Sequence, residues 1–138
     1  MFGLKLVMHT DGASRGNPGD AGIGVLIEDT QGGVLAEIGE HIGQTTNNVA
    51  EYSALIRALE EGLRLGGTEA EVYCDSELMV KQLKGEYRVK NEGLLPLFRQ
   101  VIQLKNQYRR FTINHVPREE NKRADQLANL GIDSRNEL

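Results

Sequence analysis

The hydrophobic period of this 138-residue chain changes at Val49, and that change limits the available folds more than any other feature. Before it, three apolar-rich runs, Leu4–Met8, Ala21–Glu28 and Val34–Ile42, read as strands. The first should end near Asp11. Asn17-Pro18-Gly19-Asp20 and Asp29–Gly33 supply turn residues between them. Connections this short make the three an antiparallel meander. From Val49 to Leu65, apolar residues recur at helical spacing (Val49, Tyr52, Leu55, Ile56, Leu59, Leu63), and Gly66-Gly67 stops the helix.

The remainder alternates. Glu69–Cys74 reads as a strand, 77–84 as a helix and Gly85–Gly93 as a basic connection. A helix follows over 94–107, starting near Pro96, then a short strand over 111–115, a loop over 116–121 and a last helix over 122–131. Residues 132–138 read as a polar, frayed tail. The order is βββαβααβα. Helical crossovers place the fourth and fifth strands parallel to the first. The expected fold is α/β: a mixed five-stranded sheet, three strands antiparallel and two parallel, flanked by helices. No repeat, low-complexity segment or linker divides the chain, so it reads as one domain over 1–138 with a core over about 4–131.

With 39% hydrophobic residues, the composition is that of a globular protein. The single cysteine, Cys74, rules out an internal disulfide framework and suits a reducing compartment. There is no signal-peptide pattern and no membrane-length apolar stretch, so the expected location is the cytoplasm. The net charge of -4 is unevenly spread. Residues 1–80 hold 4 Lys/Arg and 13 Asp/Glu, whereas residues 81–123 hold 11 and 4. That basic stretch is either a solvated helical face or a phosphate-facing surface.

Four acidic residues carry the chemistry. Singly, each has a structural explanation. Asp11 in Asp-Gly suits a turn, and Asp75 could cap the helix after it. Glu51 could close a capping box with Asn48, and Asp125 could answer a helix dipole. Together they converge. The first and fourth strands are expected neighbours, which puts Asp11 and Asp75 at adjacent carboxyl ends, where α/β sheets place ligands. Glu51 enters from the helix before the fourth strand and Asp125 from the last helix. Carboxylates that close repel unless cations neutralise them, and all-oxygen ligands suit two Mg²⁺ or Mn²⁺ ions. That is equipment for phosphodiester hydrolysis. His115, at a strand end beside this site, is placed for proton transfer.

In Thr10-Asp11-Gly12-Ala13, Gly16-Asn17-Pro18-Gly19, Thr45-Thr46-Asn47-Asn48-Val49-Ala50-Glu51, Asp75-Ser76 and the run from His115 to Asp125, the chain resembles type 1 ribonuclease H. The resemblance spans about Leu4 to Leu130. It implies the same mixed five-stranded fold and cleavage of the RNA strand of RNA–DNA hybrids, leaving 5′-phosphate and 3′-hydroxyl ends. By resemblance, Asp11, Glu51, Asp75 and Asp125 hold the metals and His115 assists proton transfer or product release. Asn17, Asn47 and Asn48 match residues that touch the minor groove or 2′-hydroxyls. Thr46 and Asn91 match parts of a pocket for a phosphate of the DNA strand. Three departures stand out: Gln44 where the pocket often has arginine, Glu77 in place of an amide, and a short 84–93 connection with no room for the basic helix of many bacterial members. Weaker or more salt-sensitive hybrid binding, or greater use of Mn²⁺, is expected. The alternative is a nucleic-acid-binding domain of the same fold with weak catalysis. No membrane and no obligate protein partner are expected; the chain reads as a monomer.

Overall fold

A computed structural model describes residues 3–134. The strands are β1 (Lys5–Gly16), β2 (Gly19–Glu28), β3 (Val34–Thr45), β4 (Glu69–Cys74) and β5 (Arg110–His115). The helices are α1 (Asn47–Arg64), α2 (Glu77–Leu83), α3 (Leu95–Lys105) and α4 (Lys122–Ser134), with a 3-10 turn at Arg118–Glu120. One sheet runs β3-β2-β1-β4-β5. β1, β2 and β3 pair antiparallel, while β4 joins β1 and β5 joins β4 in parallel, as the element order implied.

Helix α1 lies on one face of the sheet. Tyr52, Leu55, Ile56 and Leu59 are buried with Leu6, Met8, Val25, Ile27 and Val72 in one cluster, which α3 extends through Val101. Each large side chain removed from water in this way contributes roughly 1.5–3 kcal/mol. Two tyrosines make buried hydrogen bonds: Tyr52 donates to Gln82 Oε1 at 2.6 Å and Tyr108 to the Leu59 carbonyl at 2.7 Å. Helix α1 stops at Gly66, whose φ is 87°, and Gly67 N–H donates back to the Gly62 carbonyl.

Helix α4 covers β2 and β3 on the other face by backbone approach. A Cβ on Gly24 would strike the Ala124 carbonyl, and one on Gly22 or Gly39 would strike the Ala128 or Leu127 carbonyl. Gly131 of the helix is in turn pressed against the Glu40 backbone.

Two expectations need correction. β1 does not end near Asp11 but continues to Gly16, because β2 pairs with it throughout, Asp11 opposite Gly24 and Gly16 opposite Gly19. The expected tail from Ile132 also fails at its start. α4 runs to Ser134, and Ile132 is only 2% exposed against the glycine-lined sheet. Residues 135–138 lie outside the described residues.

Candidate functional site

β4 pairs with β1 only as far as His9–Tyr73, and its last residue is Cys74. Asp75 therefore leaves β4 beside β1 as β1 reaches Asp11. Asp11 sits in mid-strand rather than in a turn. The Asp-Gly step serves a different purpose: a Cβ on Gly12 would collide with the Ala50 carbonyl and the Glu51 nitrogen. Its absence lets α1 come onto β1, and the Gly12 N–H donates to Glu51 Oε1 at 2.6 Å.

The capping explanations give way as well. Thr46, not Asn48, caps α1, accepting from Val49 N–H at 3.2 Å. Ser76, not Asp75, caps α2, accepting from Met79 N–H at 3.2 Å. Asp75 and Glu51 are free of those duties. Carboxylate oxygens of Asp11, Glu51 and Asp75 lie within 4.8 Å of one another. Asp11 and Glu51 are each 5% exposed.

Such a cluster is electrostatically unfavourable by itself. Burial, then Glu51, Asp75 and Asp125, drives the Asp11 carboxyl far above its ordinary range. Burial also raises Glu51, against the pull of the Gly12 N–H. Three carboxylates on one spot, all-oxygen and largely desolvated, have the chemistry of a hard divalent-cation site.

Asp125 joins from α4 in the first turn of that helix, as expected. It lies outside the 4.8 Å group but lines the same groove of ≈ 550 Å³, with Asp11, Glu51, Asp75, Ser14, Arg15, Asn47, Glu77, Arg118 and Asn129. Arg118 Nη2 stands 3.7 Å from Asp125 Oδ1. Asn129 Nδ2 donates to the Asp125 carbonyl at 3.0 Å, and Asn129 Oδ1 accepts from Arg15 at 3.2 Å.

Of the other expected residues, Asn47 lines this groove, whereas Asn17, Thr46, Asn48, Asn91 and His115 are not among its lining residues. His115 is exposed at the end of β5, close enough to act on Glu77, whose carboxyl is held low by Lys81 first and by His115 as well. Asn17 Oδ1 accepts from Asn47 N–H at 3.1 Å and ties the β1–β2 turn to the start of α1. Asn48 is exposed in the first turn. Asn91 is exposed before α3, with its Oδ1 taken by Gly93 N–H at 2.7 Å. Glu77 pairs with Lys81 at 2.8 Å, which neutralises part of the negative charge it adds. No helix among the described residues is long and apolar enough to cross a membrane.

Sequence reasoning missed Gly12, Arg118, Asn121 and Asn129. Gly12 carries no local signal beyond the Asp-Gly step, which suits a turn; its role depends on α1 lying against it. Arg118 and Asn121 lie in the run from His115 to Asp125 and Asn129 one turn beyond it, but nothing local gave them a role of their own.

The family model described as reverse transcriptase-like matches residues 9–131. A bifunctional protein of Mycobacterium tuberculosis is 46% identical over 132 residues, covering 95% of this chain and 36% of that protein. This chain thus spans only about a third of that relative's length. A ribonuclease HI of Halobacterium salinarum is 42% identical, covering 95% of this chain and 66% of the relative. The crystal structure of LC11-RNase H1 in complex with an RNA/DNA hybrid superposes with a TM-score of 0.89 at 47% identity, covering 94% of this chain and 98% of the other.

Proposed function

This chain belongs to the type 1 ribonuclease H family, and we propose that it is an endonuclease acting on the RNA strand of RNA–DNA hybrids. It leaves 5′-phosphate and 3′-hydroxyl ends. The observation carrying this reading is the meeting of Asp11, Glu51 and Asp75 oxygens within 4.8 Å in an open groove that Asp125 also lines. Named ribonuclease H relatives and the hybrid held by a similar enzyme support the substrate.

In this reading Asp11, Glu51, Asp75 and Asp125 hold two Mg²⁺ or Mn²⁺ ions. Bound there, such ions supply the positive charge that acidifies an attacking water and stabilises the leaving 3′-oxygen. The chain's own residues do the rest. Burial of Asp11 and Glu51 keeps competing water from the carboxylates. Amides at Asn17, Asn47 and Asn48 both donate and accept, so they can read a 2′-hydroxyl, the group that marks RNA. Asn17 Oδ1 is engaged by the Asn47 N–H, and its Nδ2 stays available to donate. Thr46 and Asn91 take a phosphate of the DNA strand, and His115 hands a proton to the departing product. The protein works as a cytoplasmic monomer.

The test offers labelled RNA–DNA hybrid, RNA duplex, DNA duplex and single-stranded RNA to the protein with Mg²⁺ or Mn²⁺. Cutting confined to the RNA strand of the hybrid supports the proposal. Retained hybrid binding with no cutting under either metal would replace it with a binding-domain role.

A further inference from the structure

Asn121 is 2% exposed, which is unusual for an amide side chain. Its Nδ2 donates to the Thr10 carbonyl at 2.9 Å, across 111 positions of sequence. Thr10 directly precedes Asp11. The Asn121 backbone carbonyl accepts the Asp125 N–H at 3.1 Å, and its own N–H donates to the Arg118 carbonyl at 2.9 Å. One residue thus reaches the backbone next to Asp11 with its side chain and the backbone of Asp125 with its main chain. Among the described residues, neither its buried Oδ1 nor the buried Thr10 Oγ1 has a hydrogen-bond partner.

The need is geometric. Close approach of α4 to Gly22, Gly24 and Gly39, with Ile132 over Gly22 and Gly131 against Glu40, sets the distance of the helix from the sheet. Arg15 pairs with Asp133 at 2.6 Å, but both side chains are about half exposed, and such pairs hold position poorly. The Asn121 bond, in contrast, is buried and lies just before α4 begins, four residues ahead of Asp125.

We propose that Asn121 is a positioning residue: its amide fixes Asp125 relative to Asp11, and so sets how tightly the four carboxylates grip divalent cations. The inference rests on the metal-site reading above. Residues that orient metal ligands typically influence metal affinity or activity by about 10–100-fold.

The experiment compares wild type, Asn121→Ala and Tyr108→Phe. The last deletes a buried side-chain-to-backbone bond remote from the groove and controls for stability. Calorimetric titration with Mn²⁺ and steady-state hybrid cleavage are measured at a temperature where all three are folded. Asn121→Ala should lose about 10-fold or more in Mn²⁺ affinity and in kcat, with KM for hybrid within about twofold of wild type. Raising the metal concentration should restore part of the rate. Tyr108→Phe should match wild type in both. Wild-type Mn²⁺ affinity and kcat in Asn121→Ala overturn the proposal, as does an equal loss in Tyr108→Phe. If the alanine variant does not fold, Asn121→Ser, which leaves a smaller hole, carries the same comparison. Should wild type bind Mn²⁺ yet cut no hybrid, the nuclease reading fails while the Mn²⁺ titrations still decide the role of Asn121.

Discussion

Replacing Asp11 with asparagine should stabilise the metal-free protein. In the fold, burial and three neighbouring carboxylates raise the Asp11 pKa from 3.8 to about 10. Between those values the folded state binds more protons than the unfolded state, so stability falls as pH rises. At pH 7 the penalty is capped, because the fold takes up a proton instead of holding the charge. The cap is about 4 kcal/mol, from roughly three pK units at 1.36 kcal/mol each. Asp75 is only partly buried and can turn toward solvent, which relieves part of the repulsion. We expect Asp11→Asn to gain about 2 kcal/mol at pH 7, or about 6–8 °C in Tm for a chain this size. The assay is thermal unfolding in EDTA from pH 4 to pH 8. The gap between variant and wild type should be small at pH 4 and widen toward pH 8. Adding Mg²⁺ should reverse the order, since ligand at 100 times its Kd adds about 2.7 kcal/mol to wild type. A variant less stable than wild type in EDTA at pH 8, or a gap independent of pH, would refute the electrostatic reasoning.

Gly12→Ala forces a Cβ into the Ala50–Glu51 backbone, so a loss of about 3 kcal/mol or more by urea unfolding and at least a 100-fold loss of kcat are expected. Gly24→Ala pushes Ala124, next to Asp125, off the sheet; its stability loss should be similar, and its kcat loss should exceed any change in KM. Gln44→Arg adds a guanidinium where the family resemblance puts a pocket for a DNA-strand phosphate; if that pocket is used here, KM should fall several-fold at about 0.1 M salt, with the gain fading at about 0.5 M. Glu77→Gln breaks an exposed pair with Lys81 and should change stability by less than about 0.5 kcal/mol while tightening hybrid binding at low salt.

Element order and strand pairing were legible because hydrophobic period and loop length determine them locally. The strand pattern ending at Glu28, the helical pattern from Val49 and the crossovers left little choice of topology. Asp11, Glu51, Asp75 and Asp125 were legible as a group because the pairing of β1 with β4, and the helices before and after them, bring those four positions to one side of the molecule, even though Asp11 lies in mid-strand. What failed depends on contacts between distant segments. Gly12 looks like turn chemistry until α1 lies against it. Ile132 looks like the start of a tail until Gly22 makes room for it. Asn121 is one of several polar residues in a loop, and only the bond to Thr10, 111 positions away, distinguishes it. The helix caps at Thr46 and Ser76 were displaced by one or two residues from expectation, and that shift freed Glu51 and Asp75 for the site.

The central claim is that these carboxylates drive hydrolysis of RNA paired with DNA. Its most direct test is single-turnover cleavage of a hybrid labelled on both strands, with enzyme in excess, in Mg²⁺, comparing wild type with Asp75→Asn. The account predicts that wild type cuts the RNA strand alone, that the new ends are 5′-phosphate and 3′-hydroxyl, and that Asp75→Asn is slower by about 10³-fold or more with hybrid still bound. An Asp75→Asn rate equal to wild type, or a DNA strand cut as readily as the RNA, would contradict it.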